Sequence, residues 1–137
     1  MRKRVFGRKL SRGRKAREAL FRSLIRDVVL EGRIVTTTAK AKAVQGQIDK
    51  LVTLAKEGTL ASRRRILAYL ANDRGTTDKL FGPVAETFLS RKGGYTRLIP
   101  LPTRRGDSAK MTKIEWVEEI VEKKKNENVP TKSKRSK

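Results

Sequence analysis

Fifteen of the twenty-one net positive charges on this 137-residue chain lie at its two ends, and that placement decides which part of it can fold. Residues 1–17 hold nine Lys and Arg and no acid, while residues 123–137 hold seven against a single acid, Glu127. Segments so charged and so poor in apolar side chains do not bury enough surface to offset the entropy of ordering. The remaining +6 is spread over residues 18–122, where nineteen basic and thirteen acidic residues are mixed as on an ordinary soluble surface. The expectation is therefore one compact domain between two cationic segments: a basic arm over residues 1–12, a globular domain over 13–118, and a charged extension over 119–137 that is partly helical and then disordered.

A total of +21 repels itself unless a polyanion neutralises it, so the partner class is first of all a nucleic acid. A lipid surface is the competing polyanion, but no stretch approaches the roughly 18 consecutive apolar residues that a membrane span needs. Arg2, Lys3 and Arg4 run on into further charge rather than into an apolar core, so no secretory leader is expected and the chain should stay in the cytoplasm where it is made. Cys and His are both absent, which removes disulfides, thiolate or imidazole metal sites and the usual nucleophile–base pairs. Carboxylate catalysis needs two acids converging with separated pKa values, whereas the acids here fall on helix surfaces beside Lys or Arg. Neither enzymatic activity, catalytic residue, cofactor nor metal is expected.

Along the middle of the chain the hydrophobic spacing predicts an α/β domain. Leu20, Leu24 and Val28, with Phe21, Ile25 and Val29 beside them, form the i, i+4 stripe of a helix over residues 16–30, stopped by Gly32. Arg33–Thr37 is β-branched and too short for a helix, so it reads as a strand. Thr38 is placed as the cap of a second helix over 39–56, burying Val44, Ile48, Leu51, Val52 and Ala55 and ending at Gly58. Thr59 caps a third helix over 60–72 with Ile66, Leu67 and Leu70 inside. A loop over 73–76 precedes a fourth helical region, 77–90, which Gly82 and Pro83 should break near Phe81 into two pieces. Runs at 95–101 and 111–117 around a 103–109 loop read as a hairpin. Glu118, Glu119 and Glu122 ahead of Lys123, Lys124 and Lys125 suit a short terminal helix. The order helix, strand, three helical segments, two strands gives a two-layer domain with a small three-stranded sheet.

Candidate nucleic-acid contacts follow from residue type. The first arm is dominated by arginine (Arg2, Arg4, Arg8, Arg12, Arg14, Arg17) with Lys3, Lys9 and Lys15 between, and guanidinium offers the planar, two-pronged contacts to phosphate that a solubility tag does not need. Arg91, Lys92 and Arg97 flank Gly93, Gly94 and Tyr95, a backbone able to approach a phosphate closely; a plain turn with Tyr95 facing the core fits the same residues. Arg63 and Arg64 on the third helix, Lys40 and Lys42 on the second, and Arg104 and Arg105 in the hairpin complete the set. For Lys123 to Lys137 a solvated tail and an RNA contact fit equally. The chain's few aromatics are largely committed to helix cores, so no stacking platform for single strands is expected, and binding should follow folded shape and phosphates.

The segment Arg91 to Arg97, running Arg-Lys-Gly-Gly-Tyr-Thr-Arg into Leu98, resembles the hallmark of the bacterial family of large-subunit ribosomal protein number seventeen. Other pieces agree in order: Arg8-Lys9-Leu10-Ser11-Arg12 leading to Ala16-Arg17 and Ala19-Leu20-Phe21-Arg22; Thr36-Thr37 with Lys40-Ala41-Lys42; Leu54-Ala55-Lys56; Lys79-Leu80-Phe81; Arg105-Gly106-Asp107 with Met111 and Ile114-Glu115. The likeness spans residues 1 to about 118. It departs near the start and before the first helix, at Lys3 and Ala16 or their neighbours, where the family often carries histidines, at Ala39 for a proline, and at Ala43-Val44-Gln45 for Glu-Leu-Arg. The resemblance implies a structural constituent of the large ribosomal subunit that binds and stabilises large-subunit ribosomal RNA during assembly and translation, near neighbouring ribosomal proteins on the nascent-chain exit side. It implies no catalytic residue. The same bulk charge would also suit a DNA-compacting protein or general RNA chaperone, which predicts equal affinity for arbitrary duplex DNA and ribosomal fragments at matched salt.

Overall fold

The computed structural model describes residues 8–120, so Arg2, Lys3, Arg4 and the segment beyond Ile120 lie outside the described residues. Helix α1 (Arg14–Glu31) buries Phe21, Ile25, Val28 and Val29, while Leu20 and Leu24 are only half-buried; the inward stripe is turned toward Phe21 rather than Leu20. It ends where Gly32 takes φ 77°, a left-handed conformation that costs a side-chain-bearing residue about 1–2 kcal/mol, and donates its N–H to Val28 O at 2.9 Å. That turn leads directly into β1 (Arg33–Thr37).

Helix α2 (Thr38–Glu57) is the hub, with Ala41, Val44, Ile48, Leu51, Val52 and Ala55 buried along one side. Its cap differs from expectation. Thr37 occupies the N-cap position without a side-chain cap bond, and Thr38 is already helical, its hydroxyl bonding Lys110 O at 3.1 Å and Thr112 Oγ1 at 2.8 Å. Helix α3 (Leu60–Tyr69) does carry the expected cap, Thr59 Oγ1 accepting from Ser62 N at 3.1 Å. It stops short of residue 72 because Ala71 and Asn72 turn left-handed, at φ 53° and 69°.

The loop expected over 73–76 is corrected. Asp73 caps a further helix, α4 (Arg74–Lys79), accepting from Thr76 N at 3.2 Å and Thr76 Oγ1 at 2.8 Å. A π-helical turn (Leu80–Val84) and the short α5 (Ala85–Thr87) follow. The break near Phe81 is present: Gly82 leaves helical torsions (φ −90°, ψ −106°) immediately before Pro83, whose ring and missing N–H bar a continuous helix. Leu80, Val84 and Phe88 point inward, but Leu89, expected with them, is 64% exposed.

Strands β2 (Thr96–Leu101) and β3 (Met111–Trp116) form the hairpin, and β3 lies in the middle of an antiparallel sheet of order β1-β3-β2. Alternation then sorts the faces. Thr112, Ile114 and Trp116, with Ile34, Thr36, Thr96 and Leu98 opposite them in register, turn to the helices; Met111, Lys113 and Glu115 turn away. Helices therefore cover one face of the sheet, as two layers require. The chain leaves β3 through Val117–Ile120 without helical structure, and the rest of the expected terminal helix lies outside the described residues.

Candidate nucleic-acid interface

Residues far apart in sequence meet where α2 begins. The register pairs Thr37 with Met111, which sets the hairpin end beside the first turn of α2, and Thr38 fastens the two by donating N–H and hydroxyl to Lys110 O at 3.0 and 3.1 Å. The result is a cavity of about 330 Å³ lined by Arg8, Thr37, Thr38, Ala39, Lys42, Ala109 and Lys110. Three cations from three segments surround it, with no acid among the described residues of the lining and none in the first turn of α2. Among the described residues none of the three makes an ion pair. The positive end of a 20-residue helix dipole adds to their field. Chemically, the cavity suits a phosphate or another compact anion with multiple acceptor oxygens.

The hairpin loop at the edge of this cleft is braced internally. Arg104 grips Asp107 with two prongs, Nε–Oδ1 at 3.1 Å and Nη2–Oδ2 at 2.6 Å, and Asp107 Oδ1 also accepts from Ala109 N at 3.3 Å. Arg104 is thereby occupied in shaping the loop, and Arg105 beside it is exposed. The Arg104 bond, assisted by the Ala109 amide, holds the Asp107 carboxyl down at about 2. A depressed folded-state value means that this loop contact is intact above the ordinary carboxylate range and is lost only as pH falls through about 2. In a carboxyl-carbon NMR titration Asp107 should accordingly stay ionised well below the ordinary carboxylate range; titration within that range would refute the bracing.

The Gly-Gly-Tyr segment stands at the opposite end of the sheet and is built differently from its RNA-contact reading. Tyr95 is 0% exposed: its ring packs on Phe88 at 5.2 Å, and its hydroxyl lies 3.4 Å from Thr53 Oγ1, Lys56 Nζ and Arg91 O. The Tyr95 N–H donates to Asp49 Oδ1 at 3.3 Å, and Lys56 Nζ also donates to Arg91 O. Burial pushes the Asp49 carboxyl up, against the lowering by that same amide bond. Of the two readings of this segment, the buried ring of Tyr95 fits the turn with Tyr95 facing the core. The cations around it are committed as well, Arg91 to Glu118 and Arg97 to Glu115, both at 3.1 Å. What remains presented is Lys92 with Gly93 and Gly94, all exposed, Gly94 taking φ 65°.

Other candidates scatter. On α3, Arg63 pairs with Asp78 and lies 5.6 Å over the Phe81 ring, whereas Arg64 is exposed. In the arm, Arg12 donates to Leu10 O at 2.8 Å, Arg17 to Arg12 O at 3.2 Å, and Arg14 pairs with Glu18 at 3.0 Å, so these side chains stabilise the entry to α1; Lys9 and Lys15 are exposed. Lys40 is half-buried beside exposed Lys42. Lys110 was not legible as a site residue, since its place depends on the pairing of β1 with β3. Among the described residues no cluster of acids could hold a metal, and no helix is long and apolar enough to cross a membrane.

Residues 20–117 match the model of the family described as ribosomal protein L17. Over 117 residues, covering 85% of this chain and 90% of the relative, the chain is 47% identical to the large ribosomal subunit protein bL17 of Desulfotalea psychrophila. It is 38% identical to the bL17 of Koribacter versatilis, with 99% of this chain and 85% of that protein covered. Against the bL17 of Acholeplasma laidlawii the identity is 46%, over 80% of this chain and 96% of the other.

Proposed function

Since the chain belongs to the ribosomal protein L17 family, whose members are structural constituents of the large ribosomal subunit and not enzymes, we propose that it binds and stabilises folded large-subunit ribosomal RNA through the cleft at the start of α2. The observation that carries this reading is the convergence of Arg8, Lys42 and Lys110 on one cavity whose described lining holds no acid. Three cations brought together from three segments suit a backbone path rather than a base sequence, which is how folded RNA is read by shape. Exposed Arg105 and Lys9 add positive charge to the described surface, and counterion release from the bound phosphates drives association. In this reading residues 1–12 act as the anchoring arm, 13–118 as the domain that shapes the cleft, and 119–137 as an accessory extension. Neighbouring large-subunit proteins near the nascent-chain exit side complete the surroundings of the ribosome-bound chain. Full-length protein should co-sediment with the large subunit through a moderate salt wash and should prefer ribosomal RNA over arbitrary duplex DNA at matched salt. Recovery only in free fractions, or equal affinity for both polymers, would remove the reading.

A further inference from the structure

The side of the sheet turned away from the described helices carries a second surface. Strand alternation and register arrange it in three rows across β1, β3 and β2: Arg33–Glu115–Arg97, Val35–Lys113–Ile99 and Thr37–Met111–Leu101. Val35, at its centre, is 57% exposed, although an ordinary sheet face left to water carries polar residues there. The acid of the face is Glu115, and it is shared: Lys113 Nζ lies 2.8 Å from Oε2 and Arg97 Nε 3.1 Å from Oε1. Its carboxyl is held below the ordinary range first by the Lys113 bond and further by the charges of Lys113, Arg97 and Arg33. Within these three rows one carboxylate stands against three cations around an aliphatic centre, while Glu31, Glu118 and Glu119 lie beside the Arg33 row at its end.

We infer that this face is a second RNA-bearing surface, on which the shallow minor groove of folded RNA lies with its riboses against Val35 and Ile99 and its phosphates toward Arg33 and toward the surplus charge that the single carboxylate of Glu115 leaves on Lys113. Three features choose this occupant. The excess charge is of the sign that attracts a polyanion and sets two copies of the face against each other. The Thr37–Met111–Leu101 row runs into the cleft, which Thr37 and Lys110 line, so one RNA surface continues from cavity to sheet. An added protein strand is opposed on the β2 side by Pro100, which has no N–H to offer at that edge. At the far end, Glu118 and Glu119 bound the surface next to the Arg33 row. A minor groove supplies ribose edges for aliphatic side chains and needs no aromatic platform.

The inference rests on the RNA-binding reading above but fails separately from it. Photoreactive benzoylphenylalanine would be placed at Val35, whose exposure tolerates the added bulk, and in a second protein at Ala109, which lines the cleft. Each full-length chain is assembled into large subunits and irradiated, and RNA and protein adducts are counted. RNA adducts from both positions are the expected result. RNA from Ala109 with protein adducts, or none, from Val35 would overturn the sheet-face inference and leave the cleft standing. RNA from Val35 alone would keep the sheet face and refute the cleft, and RNA from neither would sink both.

Discussion

Replacing Arg8, Lys42 and Lys110 together by Gln is expected to weaken binding to deproteinised large-subunit ribosomal RNA by about a hundredfold, from roughly 1 kcal/mol per lost charge-assisted contact. The larger signature lies in the salt dependence. Each phosphate neutralised contributes a little under one unit to the slope of log K against log salt, so the triple variant should flatten that slope by roughly 2 to 3 units. All three side chains are exposed and serve no core contact, so the thermal midpoint should stay close to that of the parent protein. A second triple, Lys50→Gln with Arg65→Gln and Arg74→Gln, removes the same charge from exposed positions elsewhere on the domain. If binding follows only total charge, the two triples will lose affinity and slope equally, and the cleft has no special part. Geometry requires the first triple to lose far more.

The contrast between local and distant information explains what the sequence made legible. The courses of α1, β1, α2 and the hairpin could be read because periodicity and stop residues act within a few positions: the α2 stripe from Val44 to Ala55 is buried in full, and Gly32 and Gly58 end their helices in left-handed turns. The Gly82–Pro83 break was equally local. Asp73 was missed as a cap because α4 is only six residues long and offers no apolar period to mark its start. For the interface the limit is different in kind. Residue type alone made Arg91 and Arg97 look like phosphate ligands, yet the partners that occupy them, Glu118 and Glu115, come from beyond or across the hairpin. Lys110 was not among the candidates, because only the β1–β3 register sets it beside α2. Charge is written in the sequence; which charges stay unpaired is written in the topology.

Tyr95→Ala should cost about 3–5 kcal/mol of stability, the range for removing a fully buried aromatic ring, and lower the thermal midpoint of the free protein by roughly 10–20 °C. Against a typical domain stability of about 5–15 kcal/mol the loss is severe. Its size follows from position. Tyr95 sits on Phe88, which in turn packs on Trp116 at 5.7 Å, so the ring closes an aromatic cluster between the end of the helical layer and the sheet. Tyr95→Phe keeps that packing and removes a hydroxyl whose contacts to Thr53, Lys56 and Arg91 are all at 3.4 Å, long for hydrogen bonds, so its cost should stay under about 1 kcal/mol. The pair separates two roles for the same residue. A base-stacking tyrosine would lose RNA affinity on truncation while the free protein kept its midpoint, because an exposed ring contributes little to folding. A core anchor loses the midpoint first, and RNA binding measured well below the lowered midpoint should then stay near the parent value, since the cleft cations lie at the other end of the sheet. Truncation that left stability unchanged while abolishing binding would return Tyr95 to the interface.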